Sequence, residues 1–155
     1  VLPEPLFGES PVHTSLSMVE TVCVNRYPES ATRPAIWDGF EEAHTKVVDA
    51  RAPGEVWVSG EFVVNKEDPD FAQVHLHVPA GAPINETTRE LFEWLNDKTN
   101  TERLSCDLST FVGVPDDDPQ AFLIQEIEQA FLDIFSTHGV TGVKGFPILD
   151  LYPSP

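Results

Sequence analysis

WVSGEFVVNKEDPDFAQVHLHV, residues Trp57 to Val78, decides how this chain folds. Val56 and Val58 alternate ahead of Gly60, which predicts a strand running into a turn. Ten residues beyond the glycine, Asp70 opens a second strand-like run in which Val74, Leu76 and Val78 alternate with Gln73, His75 and His77. Two such runs joined through a polar loop predict an antiparallel pair, with the aliphatic side inward and both histidines on an exposed polar side. A glycine followed at once by a carboxylate, Gly60–Glu61, makes the turn the place to look for chemistry.

Around this hairpin lie 155 residues, enough for one substantial core, so a single domain over 1–155 is expected. Hydrophobic residues make up 41% of the chain, with 10 Phe and 3 Trp, a richer apolar content than a disordered acidic protein carries. The net charge of -17 arises from 26 acidic against 9 basic residues and is spread along the chain. Such a surface repels phosphate backbones, so direct nucleic-acid binding is disfavoured. It suits either plain solvation in a salty cytoplasm or an acidic decoy that imitates DNA towards a basic protein partner. Cys23 and Cys106 stand far apart with no CxxC pair, which predicts buried reduced thiols and a cytoplasmic setting. No apolar run approaches the ~20 residues of a membrane span.

The remaining elements read as follows. Residues 1–13, with three prolines and a glycine, predict an extended arm ahead of a core at 14–151. Ser17 and Glu20 have capping-box spacing for a short helix to about Arg26. Ile36, Trp37, Phe40, Ala43, Val47 and Val48 recur at helical spacing over Pro34–Ala50. Thr87 and Glu90 predict a further helix towards Lys98, and Leu104–Val112 a third strand carrying Asp107. Asp118 and Pro119 predict the start of a helix to His138, with Phe122, Leu123, Ile127, Phe131, Ile134 and Phe135 on its buried face. A glycine-rich turn and a last strand over Phe146–Leu151 close the chain. Helices and strands intermixed in this way predict an α/β or α+β fold.

In its order of segments, RPAIWDGF, VSGEFVVNKEDPDFAQV, SCDLS and VKGFPILDL, the chain resembles an uncharacterised bacterial family distantly related to minimal nucleotidyltransferases. The family's central signature reads Gly-Ser-Phe-Val-Thr-x-Lys, a short Pro-containing loop, then Asp-x-Asp on a strand. The resemblance covers about His13 to Leu151 and implies a mixed central sheet of about four to five strands flanked by helices. It also implies a nucleotide held near Gly60, Glu61 and Lys66, and Mg²⁺ or Mn²⁺ held by Glu61, Asp70 and Asp107. In active relatives such ions polarise the transferred phosphoryl group. Asp70 matches the first carboxylate and Asp107 the third, the two residues to which catalysis would fall.

Two positions depart from the signature. Glu61 replaces the serine that holds phosphates, and Ala72 replaces the second aspartate, a metal ligand. Because Mg²⁺ is held by few protein ligands, losing one weakens a two-metal site severely. The resemblance therefore implies a pseudoenzyme that binds a protein or a nucleotide, with an active divergent metal-dependent transferase and an acidic, antitoxin-like interaction protein as alternatives. His75 and His77 share a strand face at metal-pair spacing, although an unbroken strand turns them away from the face of Asp70. Lys66 and Lys144 read most simply as surface charges offsetting nearby acids, and His44 as a packed histidine at the core's edge. No phosphate loop of the GxxxxGK type is present.

Overall fold

In the computed structural model, which describes residues 2–151, the N-terminal arm is not the extended segment expected: it turns at residues 6–9 and is tied down on both sides of that turn. Pro5 bridges Val64, and the short strand β1 (Val12–His13) joins the sheet. Helix α1 (Leu16–Glu20) begins two residues earlier than the capping-box spacing predicts: Ser15, not Ser17, is the cap, its hydroxyl accepting from the Met18 N–H at 3.1 Å. A π-type turn, Thr21–Asn25, replaces the expected run to Arg26 and directs Val22 and Cys23 into the core beside Val19. Helix α2 (Arg33–Asp49) buries Ile36, Trp37, Phe40, Ala43 and Val47 as its periodicity predicts.

The hairpin that opens the sequence forms as expected. Strands β2 (Glu55–Ser59) and β3 (Ala72–Val78) are antiparallel, Val58 opposite Val74 and Ser59 opposite Gln73. A single 3₁₀ turn, Gly60–Val63, leaves β2, and Asp70 lies in a bend ahead of β3 rather than within it. The next expected helix is two. Helix α3 (Glu86–Leu95) is capped by Asn85 in place of Thr87, and Asp97 caps a separate α4 (Lys98–Leu104) through the Thr99 N–H at 3.0 Å. Together they form the crossover that lets β4 (Cys106–Val112) lie parallel to β3. Where α2 crosses α4 there is room only for glycine: a Cβ on Gly39 would stand 2.0 Å from the Leu104 carbonyl oxygen.

Helix α5 (Ala121–Ser136) is followed by a small hairpin, β5 (Thr137–His138) with β6 (Gly142–Val143), and by β7 (Pro147–Asp150). The main sheet has five strands in the order β1-β7-β2-β3-β4, parallel at its two outer pairings and antiparallel at the two inner ones. This is a mixed α/β fold with helices on both faces. One face packs Val56, Val58, Val74, Leu76 and Cys106 against α2, α3 and α4. The other packs Trp57, Phe146 and Ile148 against Phe135, Phe131 and Leu132 of α5.

That second layer overturns two expectations. His75 and His77 are buried, because α5 covers the face that alternation marked as polar. Helix α5 itself buries a different stripe: Phe135 is buried and Phe131 half-buried, but Phe122, Leu123, Ile127 and Ile134 are exposed. Ile124, Glu128, Phe131 and Phe135 turn inward instead, at the same spacing but one residue along. Both cysteines are free and buried, as expected. Among the described residues no helix is long and apolar enough to cross a membrane.

Candidate functional site

The turn after β2 is built from below by Arg33. Its side chain is fully buried at the start of α2, and the guanidinium donates to the carbonyls of Cys23, Phe62, Val64 and Lys66 at 2.7 to 3.1 Å. Tyr27 stacks on it, ring centroid 4.0 Å from Cζ. Asp68 ties the far side of the loop to the turn ahead of α2, accepting from the Ser30 hydroxyl at 3.1 Å and the Ala31 N–H at 2.7 Å. Gly60 adopts φ 82°, a conformation that an L side chain resists, and a Cβ there would stand 3.1 Å from the Gln73 amide nitrogen. The loop is therefore held by backbone carbonyls gripping one buried cation.

Within this frame Glu61 is already satisfied. One carboxylate oxygen forms an ion pair with Lys66 Nζ, and the other accepts from the Asp70 N–H at 3.3 Å. The Lys66 bond holds the Glu61 carboxyl below the usual carboxylate range and raises Lys66 in turn. Asp107 stands on β4 opposite Gln73, and Ala72 is opposite Cys106. Oxygens of Glu61, Asp70 and Asp107 do not gather within 4.8 Å of one another, so the trio forms no metal-ligand set in this arrangement.

Gly60, Glu61 and Lys66 do line one cavity of about 530 Å³, together with Gln73, His138 and Lys144. Lys144 is not the surface charge its sequence context suggests. It is buried, its ammonium donates to the Thr137 carbonyl at 2.6 Å, and burial pushes its pKa down. Two of the chain's nine bases thus face a cavity beside the glycine turn, and only Glu61 among its lining residues is acidic.

A second constellation lies between the sheet and α5. Ser109 Oγ, His75, His77 and Glu128 form a chain of hydrogen bonds: 2.8 Å from Ser109 Oγ to His75 Nδ1, 3.1 Å from His75 Nε2 to His77 Nδ1, and 2.7 Å from His77 Nε2 to Glu128 Oε2. Trp57 stacks on one side of the His77 ring at 4.3 Å and Phe111 on the other at 4.7 Å. Burial, and secondarily the neighbouring His77, push the His75 pKa down to about 3, so His75 is neutral at pH 7. The two rings face each other and α5, so they are not a strand-face pair open to a metal from solvent.

Glu128 opens on a larger cavity, about 740 Å³, at the opposite end of the strands from Gly60. Glu55, Asp116, Glu128 and Asp150 line it, with no Lys or Arg. At its rim His13 Nδ1 meets Asp150 Oδ1 at 3.1 Å and His13 Nε2 lies 3.9 Å from Glu55 Oε2, an exposed cluster drawn from three neighbouring strands. The Trp57 indole N–H donates to the other Glu55 oxygen at 3.0 Å.

Glu128 was legible in principle as the one carboxylate within the apolar stripe Ile124, Phe131 and Phe135. Glu55 and Asp150 carry no such signal, since only strand register sets them opposite one another. Residues 4–150 match the model of a family of unknown function, DUF6932, and the chain belongs to that family. No curated protein and no solved structure matches it.

Proposed function

We propose that this DUF6932 chain is a nucleotidyltransferase-like protein that binds rather than transfers, a cytoplasmic pseudoenzyme whose ligand is a nucleotide or other phosphate-bearing group seated beside Gly60. The observation that carries the reading is the fate of Glu61. It stands where the resemblance implies a phosphate-holding serine, and Lys66 and the Asp70 amide already engage its two oxygens. With Ala72 in the place of a ligand, and Glu61, Asp70 and Asp107 not gathered into one donor cluster, these residues do not fit a Mg²⁺ or Mn²⁺ pair. With Lys66 paired to Glu61 and Lys144 bonded to the Thr137 carbonyl, the two lysines against one carboxylate still give the 530 Å³ cavity a net positive lining that attracts an anion.

Thermal melting with each of the four nucleoside triphosphates, with and without Mg²⁺ or Mn²⁺, tests this. The expected result is a rise in melting temperature that needs no metal, with no pyrophosphate released. Lys66→Gln should weaken nucleotide binding about tenfold, the effect of one lost charge-assisted contact. Pyrophosphate release in the presence of a protein or RNA acceptor, abolished by Asp70→Asn, would instead establish the active metal-dependent enzyme.

A second reading is favoured by the other cavity. Four carboxylates without a Lys or Arg, on a chain of charge -17, suit an acidic interaction protein of the nucleic-acid-mimic or antitoxin-like kind that receives a basic protein. Under this reading, capture of the basic partner weakens steeply with added salt, and capture that is indifferent to salt rules it out.

A further inference from the structure

We infer that the outer face of α5 is a helix-docking surface whose occupant is an amphipathic helix with an apolar seam and basic flanks, contributed by another protein. Leu123, Ile127, Ala130 and Ile134 follow one another at intervals of four, three and four residues. At 100° per residue they fall within a sector of about 60°, the narrow seam of a coiled coil rather than the broad stripe of a helix lying on a sheet. Leu123, Ile127 and Ile134 are 53%, 40% and 53% exposed, so the helix presents this seam to solvent. An exposed, contiguous apolar stripe on so acidic a chain is an interaction feature and not a by-product of packing, because α5 already has its inward stripe on Trp57 and Phe146.

The flanks of the seam choose the occupant. Ile124 and Phe131 border it on one side, both half-buried, Phe131 on the chain's own sheet cluster and Ile124 at the acidic cavity, so that flank is turned towards the chain's own body. Glu126 and Asp133 border it on the other, both exposed, and α5 contains no Lys or Arg. A second copy docked antiparallel would set Glu126 and Asp133 against the same acids of its mate. Docked parallel, it would need the flank already occupied by the sheet. Charge complementarity therefore favours a foreign helix carrying Lys or Arg opposite Glu126 and Asp133. At its far end the seam reaches Ile134, which lines the cavity beside Gly60 and Lys66, so a docked helix would lie next to that site. The inference stands whether or not that site binds nucleotide.

The probe is a fluorescent synthetic helix with Leu and Ile at its seam and Lys at its flanking positions, alongside a twin with Glu at the flanks, titrated with the whole protein and followed by anisotropy. The Lys helix should bind. Leu123→Asp with Ile127→Asp should weaken it at least tenfold while leaving the melting temperature unchanged, since both side chains are exposed. Glu126→Lys with Asp133→Lys should transfer preference to the Glu twin. Equal binding of both twins, binding indifferent to the Asp variants, or no binding of the Lys helix overturns the inference. So does a dimer of the wild-type protein by light scattering that Ile127→Asp converts to monomer, which would make the face a self-interface.

Discussion

At the scale of single residues, Arg33 shows how a buried charge can organise a site without a carboxylate against it. Its guanidinium donates to four backbone carbonyls, one of which, Val64, also accepts from the Lys66 N–H, and those carbonyls belong to the π turn and to the loop that presents Glu61 and Lys66. Removing the guanidinium leaves buried acceptors unpaired. Arg33→Met should therefore destabilise the fold by about 3–5 kcal/mol in chemical denaturation. Arg33→Lys should fail nearly as badly, since one ammonium cannot reproduce the planar fork. A lysine variant within 1 kcal/mol of wild type, about the scatter of ordinary mutations, would show that charge alone suffices. His75 carries a second prediction at this scale. Its folded pKa of about 3 lies below that of a free imidazole, so between those values the unfolded chain binds the extra proton. Stability should be undiminished near neutrality and fall by up to about 1.4 kcal/mol per pH unit as pH drops from about 6.5 towards 3. His44, pushed down by its own burial, acts in the same direction. His75→Phe, set among Phe131 and Phe135, should flatten most of this acid limb; a limb that keeps its full slope would place its origin elsewhere.

At the scale of elements, the opening hairpin, α2 and the last strand were legible because each has one apolar period and a breaker at its end. Helix α5 was not, for a physical reason. Its sequence offers two apolar stripes of identical spacing one residue apart, Leu123–Ile127–Ala130–Ile134 and Ile124–Glu128–Phe131–Phe135, and the first is the more hydrophobic. Burial chose the second because His77, buried in the sheet, is met by Glu128, a partner that only the second stripe supplies. The same coupling hid the histidines: alternation in β3 reads as one wet face only until a helix covers it. The contrast is measurable. Phe135→Ala should cost about 3–5 kcal/mol, as a large core deletion does. Phe122→Ser, on a side chain 74% exposed, should change stability by no more than about 0.5 kcal/mol. Comparable losses at both positions would mean that the outer surface of α5 is covered in the isolated protein.

For the whole molecule, the charge separates along the sheet. The α5 face ends at one end of the strands in the cavity of Lys66 and Lys144 and at the other in the cavity of Glu55, Asp116, Glu128 and Asp150. Sequence could supply the glycine turn and its nearby lysine, because they are local. It could not supply Lys144 or the acidic cavity, because those residues meet only through the order β1-β7-β2-β3-β4. The remaining acids have little to hold them. Among the described residues only Glu61–Lys66 and Glu42–Arg103 join a carboxylate to a Lys or Arg, while the chain carries -17. Net repulsion of this kind destabilises the compact state and is screened as the Debye length shrinks from about 10 Å at 0.1 M salt to about 3 Å at 1 M. The melting temperature should therefore rise with KCl over that range. It should rise equally with NaCl, since screening depends on ionic strength and not on a bound cation. A melting temperature that falls with salt would mean that the two ion pairs outweigh the summed repulsion. Saturation at millimolar levels of one divalent cation alone would point to a specific site, for which His13, Glu55 and Asp150 are the clustered donor set among the described residues.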